Sequence, residues 1–176
     1  MIDTNALLDI IFSNDFMVLA TADAQGKPWA SPVVYGCDDQ MRFYWVSGAS
    51  SRHAANHAAR AETAAVIYDS HQPPGIVQGI YLEGVAEELD ASSLASAAVS
   101  FYSWRYPDPE MLAGKIRRPD EFIAPSPRRM WRMKPSMVYA LDPAGDPAHG
   151  NMMDHRIVVS LTEAFHLRFA QQRGTV

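Results

Sequence analysis

Between Met41 and Arg60 the hydrophobic pattern changes from the two-residue period of a strand to that of a helix. The first part, MRFYWV, sets Phe43 and Trp45 on one face and Tyr44 and Val46 on the other. The last part is rich in alanine, and Ala54, Ala55, Ala58 and Ala59 predict a helix with a small-residue stripe. Between them lies a polar loop, Ser47 to Ser51, in which Ser50 or Ser51 can cap the helix, with Arg52 following in the first turn. Free backbone N–H groups, hydroxyls and a guanidinium then converge at the positive end of a helix, which is the chemistry of a phosphate site. The glycine pattern of a phosphate loop is missing, so the same residues are also readable as an ordinary serine-capped turn with a solvated arginine.

The flanking segments predict short strands joined by tight turns. Thr4 to Phe12 has the spacing of a capping helix, Phe16 to Thr21 is an apolar strand, and Asp23 to Gly26 has hairpin-turn chemistry. Trp29 to Tyr35 is the second strand, with Trp29, Ser31, Val33 and Tyr35 on one face. Pro32, which cannot donate to a ladder, marks that strand as an edge, a bulge or a ligand groove. Cys37 to Gln40 turns into the third strand. After the helix, Thr63 to Asp69 and Ile76 to Leu89 read as the fourth and fifth strands, the latter carrying Gly79 and Gly84. Asp90 to Ser103 is a helix opened by an Asp cap, and Tyr106 to Pro127 is mostly loop with one helical turn near Met111. Met130 to Leu141 is the sixth strand, bulged at Pro135; Arg156 to Leu161 reads as a short extra strand and Thr162 onward as a short helix. This pattern predicts a mainly β fold, a six-stranded antiparallel split β-barrel with a few helices. Residues 1–145 would form the barrel, and 146–176 a tail packing on the barrel or a partner subunit.

Composition narrows the function. With 176 residues, 48% hydrophobic and 20% charged, the chain has the makeup of one soluble globular domain. A net charge of −5 argues against nucleic acid as a partner. The single cysteine, Cys37, permits neither an intrachain disulfide nor a cysteine metal cluster. No basic signal region precedes Lys27 and no apolar run approaches a membrane span, so the expected setting is the cytoplasm.

Four stretches in this order, FMVLATADAQGKPWASPVVYG, WVSGASSRHAANHAARAETAAVIYD, QGIYLEGVAEEL and MWRMKPSMVYALD, resemble the pyridoxamine 5'-phosphate oxidase-like family of FMN-binding split barrels. The resemblance spans about Phe16 to Asp142. It implies a homodimer with FMN sites at the interface and flavin-dependent hydride or electron transfer to or from a small molecule. By that likeness Ser47, Ser51, Arg52 and His53 hold the phosphate, with Asn56 within reach of the same end. Ser31, Pro32 and Val33, with Tyr44, Trp45 and Val46, line the flavin ring, and Gln78 and Gly79 offer it polar contacts. Arg129 and Trp131 resemble residues delivered by the second subunit. Two departures point away from the vitamin B6 oxidase itself: His53 stands where those enzymes have lysine, and their C-terminal basic motif is not recognisable. No acid–base residue is nominated, because in such a protein the cofactor carries the chemistry.

Other readings of the same residues remain open. A non-catalytic protein of this fold would hold flavin or haem. A deazaflavin enzyme would use the basic stretch Lys115 to Lys134, which has seven basic residues against Asp120 and Glu121. His53 and His57 have the spacing of a metal pair but lack a third ligand, and read as a surface or partner-facing pair. The aromatics Phe101, Tyr102, Trp104 and Tyr106 read as core or as the wall of a ligand pocket. No Gly-x-Ser-x-Gly elbow accompanies a histidine and acid, which removes serine hydrolysis.

Overall fold

The structure, a computed structural model, describes residues 2–73, 78–150 and 153–173. Helix α1 (Thr4–Ser13) is capped by Asp3, whose carboxylate accepts from the amides of Asn5 and Ala6. Strands β1 (Phe16–Ala22) and β2 (Pro28–Val34) form a hairpin whose turn places Gly26 at φ +83°, a region open to glycine. After Tyr35 the same run of chain continues as β3 (Gly36–Cys37) and then turns into β4 (Phe43–Gly48). Helix α2 (Arg52–Ala59), β5 (Glu62–Tyr68), β6 (Gly79–Glu88) and α3 (Ala91–Arg105) follow. The chain then passes through the single turn α4 (Pro109–Leu112) and a short 3-10 turn to β7 (Arg128–Leu141), β8 (Arg156–Val158) and α5 (Thr162–Arg173).

The sheet order is β2-β1-β5-β6-β7-β4-β3, with β8 added to β7 and the neighbouring strands antiparallel. β2 and β3 stand at opposite ends of that order yet are consecutive in the chain, so the sheet curls into a barrel whose ends are joined covalently. The sequence pattern expects six strands. The piece added is β3, too short to show a period, and the short extra strand expected from Arg156 forms as β8. Ile76 and Val77, expected to open the fifth strand, lie outside the described residues.

Alternation along β4 divides the core. Phe43 and Trp45 point into the barrel with Met17, Leu19, Ile67, Ile80 and Met133, where α1 and α5 close it through Leu8, Ile11 and Phe165. Tyr44 and Val46 point outward beneath α3, against Leu94, Ala98 and Phe101. Each fully buried side chain of this size contributes about 1.5–3 kcal/mol, so a one-residue slip in β4 would exchange two cores at once.

Two local features fix the frame. The β6–β7 register shifts at Gly84, where a Cβ would lie 2.7 Å from the Lys134 carbonyl oxygen. The turn before β4 is held by Asp38, whose carboxylate accepts from the Gln40 and Arg42 amides, the Arg42 Nε at 2.7 Å and the Tyr44 hydroxyl at 2.7 Å. That cage keeps Met41 at φ +58°. No helix among the described residues is long and apolar enough to cross a membrane.

Candidate functional site at the start of helix α2

Phe43, Trp45 and Ser47 share the inner face of β4, so the strand delivers the Ser47 hydroxyl to the barrel end beneath α2. The connecting loop is pinned by Ser51 N–H donating to the Gly48 carbonyl and Ala49 N–H donating to the Pro127 carbonyl. Ser51 is the cap, its hydroxyl accepting from the Ala54 amide at 3.4 Å. One turn on, His53 Nε2 lies 2.6 Å from Ser47 Oγ and 3.2 Å from Ser51 Oγ. Burial lowers the His53 pKa, so near neutral pH this triangle carries no added cation. The positive charge comes from Arg52, exposed, with its guanidinium 4.4 Å from the centroid of the Trp29 ring. The first-turn amides of a helix have no intrahelical acceptor, so Arg52, the cap serine and these N–H groups offer donors to one anion.

The remaining sequence-predicted residues divide. Asn56 is turned into the barrel, where it donates to Thr21 Oγ1 at 2.8 Å; that bond commits it to joining α2 to β1. On β2, Ser31 and Val33 are buried and Pro32 is exposed, so the three do not share one surface. Trp45 is wholly inside, while Tyr44 and Val46 lie in the outer core under α3. Gly79 pairs with Tyr68 at the end of β5 away from α2, and Gln78 beside it keeps its buried Oε1 without a partner among the described residues. Arg129 stands opposite Ser47 in the β4–β7 ladder of the same chain, held by Glu88 at 3.0 Å and by the carbonyls of Ser126 and Arg128. Trp131 is 4% exposed and packs inside its own barrel.

His57 differs from its expected place on the surface. Of the alanine stripe only Ala54 is buried, and the buried face of α2 is completed by Asn56 and His57, because the Asn56–Thr21 bond sets the helix rotation. His57, 4% exposed, lies with its ring centroid 5.7 Å from that of Trp45 and 5.2 Å from that of Trp131. Neither its ring nitrogens nor the two indole N–H groups have a partner among the described residues. Burial first, and the neighbouring His53 second, bring the His57 pKa down to about 4. Among the described residues no three His, Cys, Asp or Glu side chains gather to hold a metal ion.

The basic stretch is largely matched by acids: Arg117 and Arg128 approach Glu121, Arg118 meets Asp120, and Arg132 meets Glu87 at 2.7 Å. Asp120 and Glu121 lie within the stretch itself, whereas Glu87 and Glu88 come from β6 across the ladder, a pairing no local pattern gives.

A Mycobacterium smegmatis protein described as haem binding superimposes with a TM-score of 0.63 at 20% identity over 93% of this chain, which spans 60% of that protein's length. HutZ, described as the haem storage protein from Vibrio cholerae, gives 0.59 at 15% identity, over 75% of this chain and 89% of its own. A Listeria innocua protein provisionally described as a pyridoxamine 5'-phosphate oxidase gives 0.53 at 15% identity, over 77% of this chain and 94% of its own. Likeness at these identities speaks for the fold. No curated protein sequence matches the chain significantly. The family described as pyridoxamine 5'-phosphate oxidase matches residues 4–142, a span from α1 to the end of β7 that contains the whole of the α2 site, and the chain belongs to that split-barrel family.

Proposed function

We propose that this protein is an FMN-dependent oxidoreductase that acts on a small molecule as a homodimer. The observation that carries the reading is the convergence of Ser51, Arg52 and the first amides of α2 at one open, positive helix end. Those donors fit a phosphate group: the hydroxyl and amides supply hydrogen bonds, and Arg52 supplies charge without the desolvation cost of a buried cation. A bound flavin would supply hydride or electron transfer, while the chain's own residues hold the phosphate and orient the ring.

The dimer is supported by the outward face of β2, β1 and β5. In register, Val18 stands between Pro32 and Val66, and Ala20 between Ala30 and Ala64, with Phe16 and Tyr68 exposed at one end. That face runs from Ala30 toward Tyr68, beside Gly79. An apolar sheet face with an edge proline suits a second copy of the chain. The deazaflavin reading loses its support, because most arginines of the basic stretch are already engaged by carboxylates.

The test is spectroscopic. Protein titrated with FMN should show a perturbed flavin spectrum, bind riboflavin more weakly, and exchange electrons with NADH or NADPH through the bound flavin. Failure to bind any flavin, together with a Soret band on adding haem, would replace this reading with the haem function described for the two structural neighbours.

A further inference from the structure

A cavity lies away from α2. It measures about 700 Å³ and lies between α3, α4, α5 and the turn containing Asp38 and Asp39. β4 separates the two regions, beginning at Phe43 beside that turn and ending at Gly48 beside α2. At ~3.3 Å per residue they are roughly 15 Å apart along the strand.

The walls are specific. Trp104, Tyr106 and Phe169 supply aromatic surface, and Val99 and Leu112 aliphatic surface. The Trp104 ring is set in place by stacking on Phe165 and Phe169 at centroid separations of 6.3 and 6.2 Å. Along α3, Ser96, Ser100 and Ser103 recur at helical spacing and line one side of the cavity with hydroxyls. No lysine or arginine lines it; the charged lining is Asp38 and Asp39, with His166 beside them, its Nδ1 3.4 Å from the Asp39 carbonyl. Asp38 is spent on Arg42 and Tyr44, whereas the Asp39 carboxylate is exposed and has no ion pair among the described residues.

We propose that this cavity is a second ligand site, separate from the α2 site, for a small aromatic or aliphatic ammonium compound. Its volume falls within the about 300–1,000 Å³ typical of small-molecule sites, and its apolar wall with few polar groups is the usual composition of one. Charge decides the class of ligand. An ammonium head meets the exposed Asp39 carboxylate beside the aromatic wall of Trp104 and Tyr106, where Lys115 already lies 5.7 Å from the centroid of the Tyr106 ring. A carboxylate or phosphate in the same place meets the like charge of Asp39, with no lysine or arginine among the lining residues.

The experiment uses two probes of similar shape and opposite charge, naphthylmethylammonium and naphthylacetate, titrated calorimetrically into the intact protein. The ammonium should bind ~10-fold or more tightly than the acetate. Asp39→Lys, at an exposed position, should reverse that preference, and Val99→Trp, which fills the cavity from an exposed position, should abolish binding of both. Arg52→Ala, at the α2 site, should leave both affinities unchanged. Equal affinities, a preference for the acetate, or insensitivity to Val99→Trp overturns the proposal. So does absence of binding with cross-links joining α3 or α5 to the same helices of a second copy, which makes the cavity a subunit contact.

Discussion

The Arg52 guanidinium lies over the Trp29 ring, 4.4 Å from its centroid, and this contact ties the first residue of α2 to the start of β2. An exposed arginine ordinarily samples many rotamers; one resting on an indole is held near the helix end before an anion arrives. A charge-assisted hydrogen bond contributes roughly 1.5–3 kcal/mol, so Arg52→Ala should weaken FMN binding by about 10- to 100-fold. Riboflavin, which lacks the phosphate, should bind wild type and variant alike, and thermal stability should move by only about 0.5 kcal/mol. Fluorescence titration with both flavins checks this, and an equal loss for the two would place the phosphate elsewhere.

Asn56→Ala separates structure from binding. Its amide donates to Thr21 in the core, so the substitution should cost about 1–2 kcal/mol of stability. FMN affinity, measured on folded protein, should change far less than for Arg52→Ala. A loss of FMN affinity as large as that of Arg52→Ala would show that Asn56 reaches the ligand.

His57 makes stability depend on pH in a defined window. Its folded pKa is about 4 against an ordinary 6.5. Above ~pH 6.5 the ring is neutral in both states and its titration contributes nothing to stability. Between there and about pH 4 the unfolded chain takes up the proton and the folded one does not, so stability falls, by about 2 kcal/mol after allowing for solvent screening. Below that window both states are protonated and the loss levels off. His57→Leu should remove the share of this slope that His57 supplies, leaving the part due to His53. It should also stabilise the protein at pH 7 by about 1 kcal/mol, because two unpartnered buried nitrogens are replaced by carbon. Urea denaturation of both proteins across that range is the measurement.

Gly84→Ala tests the register shift. Its Cβ would sit 2.7 Å from a backbone oxygen and 3.1 Å from Met133 Cγ, and the backbone cannot yield as a side chain would. A cost of about 1–3 kcal/mol is expected, read as a lower midpoint in chemical denaturation. An unchanged midpoint would mean that the β6–β7 ladder relaxes there freely.

Ala30→Asp addresses assembly. Ala30 is exposed opposite Ala20 on the apolar outer face of the sheet, so the charge should leave the isolated chain folded. Buried at a subunit contact, it should shift light-scattering mass from dimer to monomer. A wild-type monomer, or a dimer indifferent to this charge, would remove the homodimer from the proposal.

What the sequence discloses depends on the range of the interaction. Phe43 against Tyr44 was legible because a strand's alternation is local, and the two residues do fall in separate cores. The Ser51 cap and Asp90 cap were legible for the same reason, each bonding within three residues. The rotation of α2 was not: Ala58 and His57 are both compatible with a buried face, and the choice is made by Thr21, 35 residues from Asn56. The position of Arg129 beside Ser47 depends on the β4–β7 pairing, which places neighbours that no local pattern relates. The second cavity is assembled from four separate segments, and its acidic mouth shows only once they meet.

The strand that passes through Tyr35 gives this barrel an uneven response to being cut. Tyr35 is buried and donates its hydroxyl to the Ile11 carbonyl, and next to it Gly36 lies so close to the Phe101 backbone that a Cβ would stand 2.7 Å away. New chain ends introduced between Tyr35 and Gly36 by circular permutation would sever the covalent joint between the sheet's two ends and release α3 from it. Ends introduced in the Asp23–Gly26 turn, where a Cβ on Gly26 would meet nothing within 4 Å, would leave that joint whole. The same sequence, rethreaded at these two points, would therefore make an open sheet in one case and a barrel in the other.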